Sequence, residues 1–144
     1  MAMLVRCLYA SRARAPLTQT VTDAILAESR RNNPAHGITG LLCHVDDIFV
    51  QVLEGGRDEV GELFATIVRD ERHRGVRLLS YEEIGQRRFG HWSMGQVNIG
   101  RVNTALLLKY SARPEFDPFA IPGAATMALL HELVDTAQIV TRGG

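Results

Sequence analysis

The sequence predicts an α+β domain: a ferredoxin-like βαββαββ sheet with two helices on one face, followed by a C-terminal helical extension. Three observations lead there. Strand-like apolar runs and helix-like three- and four-residue spacings follow one another in the order β-α-β-β-α-β-β. Turn-forming residues stand at the junctions, among them Pro34, Gly37, Asp46-Asp47, Gly55-Gly56 and Gly75. The length, 144 residues, suits one domain that buries a real core. A single sheet covered by both helices is the simplest layering of such elements.

The elements follow in order. Met3–Tyr9 reads as the first strand, with Met3, Val5, Cys7 and Tyr9 on one face and Tyr9 at its end. Pro16 to Thr20 makes a helix entrance and Val21–Asn32 a helix, stopped by Pro34 and Gly37. One side of that helix carries Thr18, Val21/Thr22, Ile25, Ser29 and Asn32/Asn33, an apolar stripe that gives way to a hydroxyl and two amides. Strands Ile38–Val45 and Ile48–Leu53 flank Asp46-Asp47, a weaker hairpin signal than Asn-Gly because Asp takes positive φ less readily than Gly. Asp58 is placed to cap the next helix, whose stripe is Val60, Leu63, Phe64, Ile67 and Val68. His73-Arg74-Gly75 ends that helix, and Val76–Ile84 and Trp92–Ile99 give the last two strands. Beyond them Pro114, Pro118 and Pro122 punctuate a linker, and Ala124–Val140 carries Met127, Leu130, Leu133/Val134 and Ala137 at helical spacing. That apolar face must pack on something, and the free face of the sheet is the expected place. Residues 1–99 thus form one module and residues 100–144 its extension.

Composition excludes several function classes. Sixteen Lys and Arg balance 16 Asp and Glu, so there is no basic excess to hold nucleic acid or an acidic membrane. Neutrality also leaves little charge repulsion between copies, which favours a homo-oligomer. No stretch nears the ~20 apolar residues of a membrane helix, and Met1 to Pro16 has no signal-peptide core. The expected location is cytoplasmic. Cys7 and Cys43 lie in apolar runs without CxxC spacing, so buried, reduced thiols and no metal site are expected.

Four features do not fit a plain core. Gln51 interrupts Ile48–Leu53, a run apolar on both faces and so central in the sheet. A buried amide without partners costs about 1–3 kcal/mol, so Gln51 has partners, whether side chains, water or a ligand. Asn32 and Asn33 suit a helix end, Tyr9 suits core packing with one hydrogen bond, and Arg72 with His73 suits a helix C-terminus through its dipole. Each is ordinary alone. Together they are less so, because the first and third strands of this topology are central neighbours and bring Tyr9 towards Gln51. Asn33, Gln51 and Tyr9 then line a slot walled by Ile25, Phe49, Leu53 and Ile67, which suits a planar heteroaromatic ligand. The Arg72/His73 end can meet a phosphate.

On these residues the sequence resembles a BLUF domain, a blue-light sensor using flavin, over about Leu4 to Ile99. The matching fragments are Leu8-Tyr9-Ala10-Ser11, Asn32-Asn33 with Gly37-Ile38-Thr39-Gly40-Leu41-Leu42, Phe49-Val50-Gln51-Val52-Leu53-Glu54-Gly55, Asp70-Glu71-Arg72-His73, and Trp92-Ser93-Met94. The resemblance implies an isoalloxazine ring between the two helices, from FAD, with FMN or riboflavin as other forms. It implies Tyr9 and Gln51 as the photochemical pair and Asn33 as partner of the ring's carbonyl and imide edge. Ile25, Ser29, Asn32, Phe49, Leu53, Ile67, Asp70, Arg72 and His73 are the other pocket positions. Trp92 and Met94 match residues of the last strand implicated in signal transmission, and strand alternation places them on one face.

The implied mechanism is electron and proton transfer from Tyr9 by way of Gln51, whose amide ends rotated or in another tautomer. The output is a shift in the last strand, read by a separate effector protein. Nothing after Ile99 resembles an enzymatic output domain, so a short stand-alone sensor without catalytic activity is expected. Two other readings use the same fold. In an acylphosphatase-like hydrolase, Arg72, Asn33 and His73 would surround a phosphate, but no glycine-rich loop precedes a helix. A non-photochemical small-ligand regulatory module is the other. Colour separates them.

Overall fold

The structure, a computed structural model, describes residues 3–14, 16 and 18–136. Five strands form one sheet in the order β4-β1-β3-β2-β5. They are β1 (Leu4–Ala13), β2 (Thr39–Val45), β3 (Ile48–Gly56), β4 (His73–Glu83) and β5 (Gly95–Asn98). All neighbours are antiparallel except β5, which runs parallel to β2. Helices α1 (Gln19–Asn32) and α2 (Arg57–Arg69) cover one face. Helices α3 (Thr104–Tyr110) and α4 (Gly123–Asp135) cover the other, with Leu129, Leu130 and Leu133 packed beside Leu8, Val50 and Val52. Ala137 to Val140, the end of the expected tail helix, lies outside the described residues.

Several elements differ from expectation, each with a local cause. β1 runs on to Ala13, because Ser11 and Arg12 keep their pairing with Phe49 and Ile48. Tyr9 is therefore mid-strand and 1% exposed, not at a strand end. The Asp46-Asp47 hairpin forms as expected, with Asp46 itself at φ 51°. Asp58 does not cap α2. β3 passes directly into the helix with Gly56 at the cap position, and Asp58 and Glu59 lie in the first turn, where carboxylates suit the dipole. His73 opens β4 instead of ending α2, because the Asp70 carboxylate accepts the Arg72 N–H at 2.9 Å and turns the chain into the strand.

A further difference concerns the last strand. Trp92, Ser93 and Met94 precede β5, so alternation does not govern them. Their carbonyls are taken singly instead: Trp92 accepts the Gly40 N–H at 3.1 Å, Ser93 the Asn33 amide at 2.9 Å, and Met94 the Arg30 guanidinium at 3.0 Å. Met94 enters the α1/α2 layer and is 1% exposed, while Trp92 packs into the α3/α4 layer. The two do not share a face.

Two glycines answer to geometry. Gly75, at φ 60°, sits where β4 spends two residues, Gly75 and Val76, opposite the single Ser11 of β1. Gly123 starts α4 so close to β4 that a Cβ there would lie 2.5 Å from the Leu79 carbonyl oxygen.

A buried ion cluster ties the long β4–β5 connection to the sheet. Glu54, fully buried at the end of β3, accepts from Arg6 at 2.8 Å, from the Arg88 N–H at 3.0 Å and from the Phe89 N–H at 2.6 Å. The neighbouring Arg87 reaches the Gly37 carbonyl at 2.7 Å and Thr39 Oγ1 at 2.9 Å. Arg88 reaches α4, donating to His131 at 3.1 Å and to Asp135. Both cysteines are buried and free, and burial pushes each thiol up to about 12.

Candidate functional site

A cleft partly open to solvent lies between α1, α2 and the sheet. β1 contributes Tyr9, β3 Gln51, β2 Leu42 and β4 His73. α1 supplies Ile25, Glu28, Ser29, Asn32 and Asn33 from its one-sided stripe and the following cap. α2 and the turn after it supply Leu63, Thr66, Ile67, Asp70 and Arg72. The wall is mostly apolar with a few polar groups converging, as in small-molecule sites.

The centre is a chain of three side chains. Tyr9 and Gln51 face each other in the β1–β3 register, and the Tyr9 hydroxyl donates to Gln51 Oε1. Gln51 Nε2 points to Met94 Sδ at 3.3 Å. A thioether is a weak acceptor, so one amide proton is held loosely. Burial raises the Tyr9 pKa, so the phenol holds its proton. The Phe64 ring lies against Tyr9 with centroids 5.6 Å apart. Asn33 is 3% exposed and donates to the Ser93 carbonyl, leaving its own oxygen available.

The Arg72/His73 end is built differently from the expected cationic pair. Arg72 is neutralised in place by Asp70 at 2.6 Å and Glu28 at 3.1 Å. The hydrogen bond from Arg72 is the main cause holding the Asp70 carboxyl below its usual range. His73 is 5% exposed, bonded through Nδ1 to Ser11 Oγ at 2.8 Å and tilted against Phe49 with ring centroids 5.0 Å apart. Burial lowers its pKa, with Asp70 opposing and Arg72 assisting, so it does not serve a phosphate as a second cation. This end also disfavours the hydrolase reading, since its arginine already has two carboxylate partners.

The structure brings together Tyr9, Ile25, Ser29, Asn32, Asn33, Gln51, Ile67, Asp70, Arg72 and His73 around one cleft. It does not bring Phe49 or Leu53 to the wall. Both are fully buried in the same layer beside the lining, with Phe49 against His73. Met94 reaches the site through Gln51, and Trp92 does not. Glu28, Leu42, Leu63 and Thr66 also line the cleft and were not singled out in the sequence. Glu28 follows Ile25 by three residues, and Leu63 and Thr66 precede Ile67 and Asp70 by four, so helical spacing could have found them.

The donor set tests whether a flavin fits. A neutral amide at Gln51, an amide oxygen at Asn33 and a histidine ring face an apolar slot, and flavin presents alternating carbonyl, N–H and ring-nitrogen groups along one edge. The residues fit. Among the described residues no His, Cys, Asp and Glu group is arranged for a metal ion, and no helix is long and apolar enough to cross a membrane.

Comparison with known proteins gives the same answer. The family model for sensors of blue light using FAD matches residues 4–95. The photoactivated adenylate cyclase subunit beta of Euglena gracilis is 34% identical over 87 residues, which is 60% of this chain. The chain spans about 10% of the length of that relative. Among solved structures, the photo-activated state of BlsA superposes with TM-score 0.80 at 32% identity, covering 92% of this chain and 95% of BlsA. The dark state of BlrB, a BLUF protein, gives 0.77 at 34% identity, covering 95% and 98%. A Tyr–Gln pair buried between two helices, on a fold shared over nearly the whole chain with such proteins, leaves a plain conclusion: the chain belongs to the BLUF family of blue-light sensors that use flavin.

Proposed function

We propose that this chain holds FAD in the α1/α2 cleft and works as a light-driven hydrogen-bond switch. The observation that carries the reading is the buried Tyr9–Gln51 hydrogen bond, with Gln51 also tied to Met94. Asn33 and Gln51 orient the ring's polar edge, and Ile25, Leu63 and Ile67 wall its faces. Ser29, Asn32, Asp70 and Arg72 stand where the cleft opens, and Phe49 and Leu53 back it.

When bound, the flavin supplies blue-light absorption and a strongly oxidising excited state. Tyr9 gives up an electron, and its phenol proton leaves along the bond already made to Gln51. Both return to Tyr9 on recombination, so the chain undergoes no net redox change. Gln51 is left rotated or in another tautomer. Its weak bond to Met94 Sδ is the one most easily exchanged. The rearranged amide biases a two-state element. Met94 passes the change to the segment leading into β5, and α4, on the far face of the sheet, gives the chain a surface for a separate effector or a second copy.

In this reading residues 1–99 are the sensory unit and residues 100–144 an extension that supports contact. The chain acts in the cytoplasm, without catalytic activity of its own. A light-minus-dark absorption spectrum, with identification of the extracted flavin, tests it. A reversible red shift and extracted FAD are expected. Colourless protein that takes up no added flavin would overturn it.

A further inference from the structure

One motif residue has no part in the switch described so far. Ser11 lies two residues beyond Tyr9 on β1, is fully buried, and makes a 2.8 Å contact with Nδ1 of His73. His73 lines the cleft and stands edge-on to Tyr9, with ring centroids 6.4 Å apart and planes at 74°. The contact lies beside the register shift at which β4 spends two residues, Gly75 and Val76, opposite Ser11, with His73 paired to Ala13 just beyond it.

We propose that Ser11 is a positioning residue that fixes His73 as its Nε2–H tautomer, so that a donor and not a base faces the flavin cleft beside Tyr9. The direction of the Ser11–His73 bond follows from accounting for protons. A serine hydroxyl has one proton, and a buried polar group needs a partner. Among the described residues His73 Nδ1 is the partner this hydroxyl makes. If Nδ1 carried the proton, the hydroxyl proton would be left without an acceptor in a fully buried place. If the hydroxyl donates, both groups are satisfied and the ring proton resides on Nε2. Burial keeps the ring from taking a second proton. Phe49, tilted at 54° against the imidazole with ring centroids 5.0 Å apart, restrains the ring from turning over.

The consequence rests on the flavin reading given above. An imidazole lone pair facing the cleft would be a stronger base than the Gln51 carbonyl, and would compete for the Tyr9 proton. With Nε2 protonated, the ring offers that proton nothing, and Gln51 remains its acceptor. His73 instead donates to an acceptor atom of whatever occupies the cleft.

The test is histidine 15N–1H correlation on the full flavin-loaded chain in the dark, with His73 assigned by comparison with His73→Gln. An Nε2–H signal with Nδ1 as acceptor is expected. An Nδ1–H ring in the wild type overturns the proposal by itself, whether or not any variant folds. Ser11→Ala should lose the single tautomer and lower the yield of red-shifted product, and Ser11→Thr, which keeps the hydroxyl, should restore both. An unchanged His73 tautomer in Ser11→Ala would also overturn it. The two readings fail separately. A yellow, photoactive protein with Nδ1–H overturns only this proposal, whereas an Nε2–H ring in protein that takes up no flavin overturns only the photosensor mechanism.

Discussion

Glu54→Gln is the substitution whose cost follows most directly from the structure. The side chain is 0% exposed and its two oxygens receive Arg6 and the backbone N–H groups of Arg88 and Phe89. Breaking a buried pair by removing one charge costs about 3–5 kcal/mol, because the other charge stays buried. Arg6 is 11% exposed and keeps Glu82 at 2.8 Å, which lowers that figure. Against this, the new amide NH2 must face at least one N–H donor, which adds about 1–3 kcal/mol. A net loss of about 3–4 kcal/mol is expected, a large share of the 5–15 kcal/mol typical of a domain. The control is Glu82→Gln, which breaks the outer pair with Arg6. Glu82 is 47% exposed, so its loss should be below about 1 kcal/mol. Equilibrium urea unfolding measures both, with an unchanged m-value showing that stability and not compactness has moved. Equal losses in the two variants would refute the view that burial of the Glu54 charge governs the cluster.

Four other outcomes follow from the same structure. Tyr9→Phe and Gln51→Leu should each stay yellow and lose the red-shifted photoproduct in the absorption spectrum; a normal photocycle in either removes that residue from the switch. Burial sets the His73 pKa below its usual 6.5, so below that pH the unfolded chain binds more protons than the folded one. Stability is therefore full above pH 6.5 and falls as the pH drops through the folded value; His73→Gln should flatten this part of the urea midpoint–pH curve, and identical curves would contradict it. Gly123→Ala puts a methyl 2.5 Å from the Leu79 carbonyl and should cost about 1–3 kcal/mol by pushing α4 off β4, while leaving flavin affinity unchanged. A gain in stability from the better helix former would show that α4 does not sit that close.

Periodicity made most of the fold legible. The stripe Val60–Ile67 marked α2, and the wholly apolar run around Gln51 marked a central strand with one buried amide. The Tyr9–Gln51 pairing followed from topology. What escaped was local. Tyr9 reads as the end of β1, yet the strand continues through Ser11 and Arg12, because their partners on β3 are already in register. His73 looks like a helix terminus, but the Asp70 turn decides its place, and such a turn depends on one side-chain hydrogen bond that no period reveals. Glu54 looked like punctuation before Gly55-Gly56. Its burial is set by Arg6, Arg88 and Phe89, which are distant in the chain, so no local pattern could mark it. Trp92 and Met94 were misplaced together by one assumption, that the chain there is already extended.

That last placement gives the protein a built-in optical probe. Trp92 is its single tryptophan, and it reports on the layer under α4, not on the cleft. Met94, two residues on, touches Gln51. The sheet is a wall between two hydrophobic compartments, and this stretch runs along its edge beside β2 with one side chain on each face, pinned where the Trp92 carbonyl meets the Gly40 N–H. Indole emission therefore senses one compartment while the flavin spectrum senses the other. Recorded together after a flash, the two signals time the passage of a disturbance from one face of the β-sheet to the other.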